Sequence, residues 1–401
     1  MKIYVNKEEF MQYVKLQNGA LSIDGLESKV IPLQKVLYLI KPLLNINQIT
    51  HHCSLDEKIW SIFCSPQIRR GSMDNLSSAD VIQYRSKIAA CIKKEEPIKM
   101  IFIAFPFKSY YNPLKTNRHL PDLGELYFLR RLLQINASVS LIYPPGLQWT
   151  ILTEGRAYAN IVGLSCSEVN DYQSSIASFV RIIGAENIIK LDDLARLFEL
   201  VPDFEEKVVE QHDKLTKQYE QGGATSVSPE FEQILCTMRG SVDLRNDNVE
   251  NLYHLITADS LVELPSHLLD SSQVISAQAL AMALRYQAIN QVKNIIGYSG
   301  QGLIRDNFSE HCYVSITSKP GRYAFNPLSV DSKFFPHHGV PLLVGKKNGY
   351  VRVVFLIDIV TRPQRYRAVY IENDHENKPF FYHQREVAKN RLSGFKGAWE
   401  T

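Results

Sequence analysis

Residues able to bind or transform a polar substrate are concentrated directly after one apolar segment. That segment, residues 98–105, is typical of a strand buried on both faces of a sheet. Open α/β sheets bind their ligands at the carboxyl ends of such strands. An aromatic ring, a hydroxyl, an amide and two amines follow this strand, and the candidates for substrate binding or catalysis among them are Phe107, Lys108, Ser109, Asn112 and Lys115.

Lys108 lies between an aromatic residue and a hydroxyl, and its position admits more than one interpretation. It could bind a phosphate as a compact cation, or act as a nucleophile or proton shuttle with a pKa lowered by desolvation. A solvated loop lysine would have the same local sequence, because a single lysine carries little specificity. The residue types alone therefore leave its role open.

Carboxylates follow the lysine loop and come back at the end of the next predicted strand. Asp122 and Glu125 lie three residues apart, on one face of the helix that should begin after Pro121. They could form a pair for acid and base catalysis, or complement the dipole at the helix start. Glu154 would place another carboxylate on the same sheet edge, unless it belongs to an ordinary turn.

Later in the chain, cations and histidines form a more dispersed set. Guanidinium groups match planar anions, but a single arginine is more often part of an ordinary ion pair. His338 is a candidate for proton transfer; the adjacent pair His337-His338 has no partner at a fixed spacing and predicts no metal site. The cations that could hold a phosphate or a carboxylate are Arg239, Arg285, Arg305, Lys319 and Arg322.

The elements needed to position these residues have a β-α-β rhythm. The strand at 98–105 is followed by a helical stripe from Leu123, by predicted strands at 139–143 and 149–153, and by helices at about 169–183 and 192–220. Strands return at 341–344 and 350–360, joined by a predicted tight hairpin at Asn348-Gly349. The pattern predicts an α/β fold with a central mixed, largely parallel sheet flanked by helices.

The same pattern predicts three segments. Residues 1–95 are predicted to form a helical N-terminal cap, and residues 96–370 the α/β catalytic domain. Residues 371–401 are predicted to form a basic C-terminal tail at the surface. The pair Gly222-Gly223 is the best internal linker and should join two lobes of the middle segment.

Composition restricts the classes of partner. The 401 residues carry 45 Lys and Arg against 42 Asp and Glu, and this near balance gives no global field suited to nucleic acid. No apolar run reaches the roughly 20 residues that cross a bilayer, so no membrane association is expected. The six cysteines form no C-x-x-C pair, which fits reduced thiols. We therefore expect a cytoplasmic protein.

Three ordered motifs resemble one family. They are Phe105-Pro106-Phe107-Lys108-Ser109 with Asn112 and Lys115, then Leu120-Pro121-Asp122 with Glu125, then Tyr143-Pro144-Pro145-Gly146. Together they look like the signature of the amino-acid isocyanide synthases and the related enzymes of fungal spore-wall dityrosine synthesis. Linked motifs are more specific than any one of them. The likeness covers roughly residues 98–355.

This resemblance implies an isonitrile synthase. The amino group of tyrosine or tryptophan would condense with the C2 ketone of ribulose 5-phosphate, a co-substrate, with no metal or other cofactor. Lys108, Lys115 and Arg239 would neutralise the anionic substrates, and Glu125, Glu154 and His338 would transfer protons. Lys108 could alternatively form a transient imine with the ketone. An iron and 2-oxoglutarate oxygenase would be the pathway partner.

Departures from the family pattern leave two alternatives. Glu154-Gly155 stands where the family commonly has Asp-Gly, and Tyr313 and Thr317 stand where it usually has arginine and histidine. The chain could therefore form an N-formyl amino acid, or be a catalytically degenerate protein that binds a phosphosugar.

Overall fold

The computed structural model describes residues 14–17, 20–23, 26–36, 41–44, 53–245, 254, 266–328, 332, 334–345 and 350–385. Its strands are β1 Val14–Gln17, β2 Ala20–Ile23, β3 Ser28–Ile31, β4 Ile98–Ala104, β5 Leu147–Thr153, β6 Ile189–Asp193, β7 Cys312–Tyr313, β8 Val340–Val344, β9 Tyr350–Val354, β10 Tyr366–Ile371 and β11 Phe381–Gln384.

The α-helices lie mainly between the strands of the first half and in the region before β7. They are α1 Leu55–Cys64, α2 Ser78–Lys94, α3 Leu123–Ser140, α4 Gly155–Tyr158, α5 Cys166–Ile182, α6 Leu194–Glu199, α7 Phe204–Gly222, α8 Ala224–Val227, α9 Phe231–Arg239, α10 Ser266–Ile295, α11 Leu303–Asn307 and α12 Leu356–Val360. A 3-10 turn at Pro336–His338 leads into β8.

A parallel sheet of four strands positions the candidate loops. Its order is β6-β5-β4-β7, and all of its neighbouring strands run in the same direction. Strand β4 lies inside the sheet and is apolar along most of its length, as a strand covered by helices on both faces requires. Because the strands are parallel, their carboxyl ends meet at one edge, where the residues after β4, β5 and β7 lie.

A second sheet of five strands is mixed, with the order β3-β10-β11-β8-β9. Strands β8 and β9 pair antiparallel, as the predicted hairpin requires, while its turn at 346–349 lies outside the described residues. The α/β class and the helix-flanked sheets are thus confirmed. The strands form two sheets beside the short β1-β2 pair, where the sequence predicted one central sheet.

The core is divided by the parallel sheet because successive residues of a strand point to opposite faces. Phe102 packs with Phe128 and Trp149 in one apolar cluster. Its neighbour Ile101 belongs to a second cluster, which includes buried residues of α7, α9 and α10. This second cluster anchors the helices that reach the carboxyl edge of the sheet.

One predicted strand is wrong, and another is too long. Residues 139–143 do not form a strand, because α3 continues to Ser140 and buries Val139 four residues after the buried Ile135. Tertiary packing here overrides the β preference of a Val- and Ile-containing segment. The predicted strand 350–360 ends at Val354, and residues 356–360 form helix α12 instead.

The flanking segments contribute strands as well as helices. Strand β3 belongs to the segment predicted as a helical cap, and it pairs with β10 in the five-stranded sheet. Strand β11 belongs to the predicted surface tail, yet it lies inside that sheet between β10 and β8. The expectation of a purely helical cap and a surface tail is corrected accordingly, while the three domain boundaries stay a prediction.

Among the described residues, none of the helices combines the length and the apolar composition that a bilayer crossing requires.

Candidate functional site

The loop after β4 begins with an unusual backbone conformation. Phe105 has a φ of 56°, in the left-handed region that is costly for a bulky residue. Its ring packs on Phe128, with 4.9 Å between centroids, which offsets part of that cost. Further along, the Ser109 amide donates to the carbonyl of His337 at 2.9 Å. The loop is therefore fixed against the turn that precedes β8.

Lys108 is the centre of a closed charge network. Its Nζ lies 2.7 Å from Asp122 Oδ2 and 3.1 Å from Glu125 Oε2, and none of its side chain is exposed. It also donates to the carbonyls of Pro336 at 2.8 Å and Gly339 at 3.4 Å. In this conformation the ammonium is surrounded by protein oxygens, which leaves no free position for a substrate phosphate.

The two carboxylates of this network also begin helix α3. Asp122 is its N-cap and accepts from the Gly124 amide at 2.8 Å, while Glu125 accepts from the Asp122 amide at 2.9 Å. Tyr172 donates its hydroxyl to Glu125 at 3.1 Å. Burial raises the pKa of Asp122, against the attraction of Lys108. The structure therefore shows both the helix capping that was one of the two predicted roles of this pair and the ion pairs to Lys108.

Lys115 is also a buried amine, but its charge is balanced differently from that of Lys108. Within the described ranges no carboxylate pairs with it, and burial lowers its pKa to about 8. Its Nζ lies 5.9 Å from the centroid of the Phe355 ring. A Cβ at Gly240 would come within 3.0 Å of this nitrogen, so the glycine leaves room for the ammonium. Asn112 fixes that glycine by donating to its carbonyl at 3.1 Å.

His338 lies beside Lys115 and Ser109. Its Nδ1 is 3.4 Å from Ser109 Oγ, and Tyr111 donates its hydroxyl to that same oxygen at 3.3 Å. Burial, then the charges of Lys115 and Lys108, lower the pKa of His338 to about 3. The imidazole is therefore neutral at physiological pH and suited to hydrogen bonding, while a cationic acid role is disfavoured.

Glu154 belongs to a second cluster, at the carboxyl end of β5. Burial raises its pKa, whereas Lys293 and Lys319 act in the opposite direction. Lys293 enters from α10 and donates to Asn290 Oδ1 at 2.6 Å and to the Tyr158 hydroxyl at 3.1 Å. Burial, with a further contribution from Lys319, lowers the pKa of Lys293 to about 7.

A tight turn after β7 supplies the remaining cations of this cluster. In Lys319-Pro320-Gly321-Arg322, the Arg322 amide donates to the Lys319 carbonyl at 3.3 Å and Gly321 has a φ of 65°. A proline followed by a glycine with positive φ is typical of a type II turn. The Arg322 guanidinium stacks 4.0 Å from the Tyr313 ring centroid and donates to its hydroxyl at 3.1 Å.

The sequence candidates are thus divided among several places. Lys108, Asp122 and Glu125 form the closed network, and Ser109, Asn112, Lys115 and His338 lie together beyond it. Phe107 is buried and packs its ring 6.2 Å from that of Tyr111. Arg239, in contrast, is exposed at the end of α9. The structure shows no hydrogen bond or ion pair between its side chain and Lys108, Lys115 or Glu154.

Lys293 was missed by the sequence analysis. It lies inside a helix of 30 residues and has no neighbouring motif. A signal was nevertheless present, because Lys293 follows Ile289 by four residues and adjoins Val292, both of which are buried. A lysine on the buried stripe of a helix must find a partner or lose charge.

Comparisons with known proteins gave a family match and several similar proteins. The model of the family described as pyoverdine/dityrosine biosynthesis protein matches residues 88–351, a range that contains both clusters. The chain is 26% identical over 262 residues to the L-tyrosine isonitrile synthase of Pseudomonas aeruginosa, covering 63% of this chain and 72% of the relative.

Two further similarities concern another relative and a solved structure. The chain is 28% identical over 268 residues to the L-tryptophan isonitrile synthase AmbI1 of Fischerella ambigua, covering 65% of this chain and 75% of the relative. Its fold is similar to the crystal structure of the PvcA protein from Pseudomonas aeruginosa, with a TM-score of 0.58 and 17% identity over 83% of this chain and 100% of that one.

Proposed function

Because the chain belongs to the pyoverdine/dityrosine biosynthesis protein family, we propose that it is an isonitrile synthase acting on an aromatic amino acid. The names of the relatives, which are L-tyrosine and L-tryptophan isonitrile synthases, support this reaction class. For the carbon donor we propose ribulose 5-phosphate, as the motif resemblance implies.

The observation that carries the proposal is the charge distribution at the carboxyl edge of the parallel sheet. Two cationic centres lie there, one at Lys115 and one at Lys293 with its neighbours, and within the described ranges neither has a carboxylate in ion-pair contact. Lys115 and Lys293 are buried, and buried cations without such a partner are costly in the free protein. An amino acid and a sugar phosphate would together bring the two anionic groups that such centres require.

The chemistry demands proton transfer as well as charge stabilisation. The substrate amine condenses with the C2 ketone to an imine, and one water leaves. An isonitrile carbon is bonded to nitrogen alone, so both carbon–carbon bonds of C2 must then break. C1 leaves as formaldehyde after loss of its hydroxyl proton, and C2 keeps the electron pair of the C1–C2 bond. The C3–C5 fragment leaves with the electron pair of the C2–C3 bond and takes up that proton, so no oxidant is needed. Glu154 is suited to take protons during these steps, because burial raises its pKa and makes the carboxylate more basic, and Lys293 lies near enough to interact with its charge.

Other candidates take indirect roles in this proposal. Lys108, Asp122 and Glu125 are sealed from solvent, so we assign them to positioning the loop that carries Ser109 and Lys115. Lys115 would hold the amino-acid carboxylate, since it is the buried amine without an acidic neighbour in that loop. His338 would orient a substrate hydroxyl or carbonyl as a neutral hydrogen-bonding group.

The direct test is product analysis with labelled donor. Purified protein is incubated with ribulose 5-phosphate carrying carbon-13 at C2 and with either tyrosine or tryptophan, and products are trapped with a tetrazine at neutral pH. We expect a product with one added, labelled carbon that reacts with the tetrazine. Lys115→Met should raise the KM for the amino acid more than that for the sugar phosphate.

One relative supports a second candidate product. The spore wall maturation protein DIT1 of Saccharomyces cerevisiae is 33% identical over 91 residues, which cover 23% of this chain and 17% of that protein. A formamide differs from an isonitrile by one added water. A labelled product that resists the tetrazine and matches the formamide mass would replace the isonitrile assignment, and binding of both substrates without any product would favour a degenerate binding protein.

A further inference from the structure

We propose that Lys293, Lys319 and Arg322 form the phosphate subsite, and that this cluster rather than the Lys108 loop holds the phosphoryl group of the co-substrate. The assignment rests on the proposed function for the identity of the whole sugar. Phosphate recognition itself is independent of the later chemistry and can be measured without turnover.

The first support is the local geometry of the turn. Pro320 and Gly321 fix a tight turn, and Lys319 and Arg322 lie at its two ends, joined by a backbone hydrogen bond of 3.3 Å. The turn is anchored from outside, because the Gly321 amide donates to the Asn75 carbonyl at 2.8 Å. The backbone that carries both cations is therefore held in place before any ligand arrives.

The second support is the orientation of Arg322. Its guanidinium lies over the Tyr313 ring, and one of its nitrogens donates to the Tyr313 hydroxyl. Its buried Nε has no hydrogen-bond partner among the described residues. A stacked guanidinium with a free donor is pre-organised for a phosphate oxygen, since its planar fork loses little freedom on binding.

The third support is charge. Lys293 has only 6% of its surface exposed, and its two hydrogen-bond partners, Asn290 and Tyr158, are both neutral. In the described part of the chain, Glu154 is the carboxylate whose charge acts on Lys293 and Lys319. Once a bound phosphate holds Lys293 in its protonated form, three cations facing one carboxylate leave an excess that matches a phosphate monoester of about two negative charges.

The number of cations also distinguishes the sites for the two substrates. A carboxylate carries one charge and is balanced by a single ammonium, which Lys115 supplies. A phosphate dianion has three terminal oxygens and gains from several donors at once. The cluster with three cations is therefore assigned to the phosphate, and the centre with one cation to the amino acid.

The experiment measures ligand binding without catalysis. Isothermal titration calorimetry of the full chain with ribulose 5-phosphate alone, and with inorganic phosphate as a competitor, is compared for the wild type, Lys319→Gln and Arg322→Gln. Each variant should weaken sugar-phosphate binding about tenfold or more, because each removes a charge-assisted contact. Amino-acid binding should change less than about twofold, since Lys115 is untouched.

The control removes a charge of the same sign elsewhere on the parallel sheet. Lys190→Gln changes an exposed lysine near the start of β6, away from the carboxyl edge. It should leave both affinities unchanged. A loss equal to that of Lys319→Gln would show that only the overall charge matters and would overturn the subsite.

The remaining outcomes also decide the question. Wild-type protein that binds neither ribulose 5-phosphate nor inorganic phosphate would overturn the subsite, as would a variant that loses amino-acid binding in place of sugar-phosphate binding. Selective loss of sugar-phosphate binding supports the subsite even where product analysis finds no isonitrile. In that case the proposed function fails and the phosphate site stands.

Discussion

Two lysine-centred regions near the carboxyl edge of one sheet differ in how their charges are balanced. Lys108 faces two carboxylates and two carbonyls and is completely buried. Lys293 has neutral hydrogen-bond partners and lies among further cations. The first region is complete without a ligand, whereas the second carries an excess of positive charge.

A lysine that follows a buried strand is therefore not necessarily the lysine that binds the substrate. In the Lys108 network, buried charges are compensated by protein groups, so removing one partner leaves the others uncompensated. In the Lys293 cluster the compensation has to come from outside. The Lys108 network therefore acts within the fold, whereas the Lys293 cluster is suited to bind a ligand.

The largest effect is expected for Lys108→Met. The substitution leaves Asp122 and Glu125 buried without their cation, and should lower the free energy of unfolding by about 3–5 kcal/mol. Urea denaturation followed by circular dichroism measures it. Adding Asp122→Asn and Glu125→Gln to the same variant should restore part of the loss, because the uncompensated charges are then removed.

Lys115→Met is the matched control for that measurement, since it removes a buried lysine without a carboxylate partner. Its free energy of unfolding should stay unchanged or rise. If Lys108→Met kept wild-type stability and selectively lost ribulose 5-phosphate binding, the structural role of Lys108 would be contradicted. Lys108 would then be assigned to substrate binding.

A smaller effect, on binding only, is expected for Lys293→Met. Tyr158 already donates its hydroxyl to Asn290 at 3.2 Å, so no buried hydroxyl is left without a partner and stability should be retained. The affinity for ribulose 5-phosphate should fall about 10- to 100-fold, corresponding to about 1.4–2.8 kcal/mol. Calorimetry and urea denaturation on the same preparation separate the two effects. Loss of stability without loss of affinity would contradict the prediction.

The pH dependence of sugar-phosphate binding tests whether Lys293 binds the ligand in its charged form. Between pH 7 and 9 the phosphate is largely dianionic, since its second pKa is about 6. Lys293, with a pKa of about 7, loses its proton over this range in the free protein, so sugar-phosphate affinity should fall as pH rises, by up to about tenfold. Among the described residues, the other titratable groups around it are Glu154, Lys319, Arg322, Tyr158, Tyr286 and Tyr313.

The Lys293→Met variant is the control for that titration. Its affinity should depend less on pH than that of the wild type, while Lys115, whose pKa is about 8, remains in both proteins. Identical pH profiles would show that Lys293 does not titrate in contact with the ligand.

The smallest effect concerns a second network in which charges are paired. It involves His119, in the segment that precedes α3. His119 Nδ1 lies 2.7 Å from Glu376 Oε1, and this contact raises the pKa of the imidazole. A raised pKa means that the protonated histidine stabilises the fold below pH 6.5, and that this contribution is lost as pH rises through the folded-state value.

His119→Gln should therefore cost less than about 1 kcal/mol, because the side chain is partly exposed and the pair is screened by solvent. Thermal unfolding at pH 6 and pH 8 should show the difference from wild type at the lower pH and little difference at the higher one. A larger cost at pH 8 would contradict the assigned protonation.

Much of the framework near the site follows from local sequence. The apolar run at 98–104 predicts β4, and Pro121-Asp122 with Glu125 predicts the start of α3, because strand burial and helix capping depend on neighbouring residues. The strand predicted at 139–143 is wrong for the complementary reason. Its β preference is outweighed by contacts of α3 with the sheet, which local residues do not encode.

The residue types at the ends of the parallel strands, and the three motifs that identify the family, can be read from the sequence alone. Which of those charges are compensated depends on the tertiary structure. Lys108 is enclosed by carbonyls of Pro336 and Gly339, and Lys293 reaches Tyr158 from a helix far along the chain. Desolvation and ion pairing depend on groups that folding brings together, so a lysine's charge balance cannot be read from its neighbours in sequence.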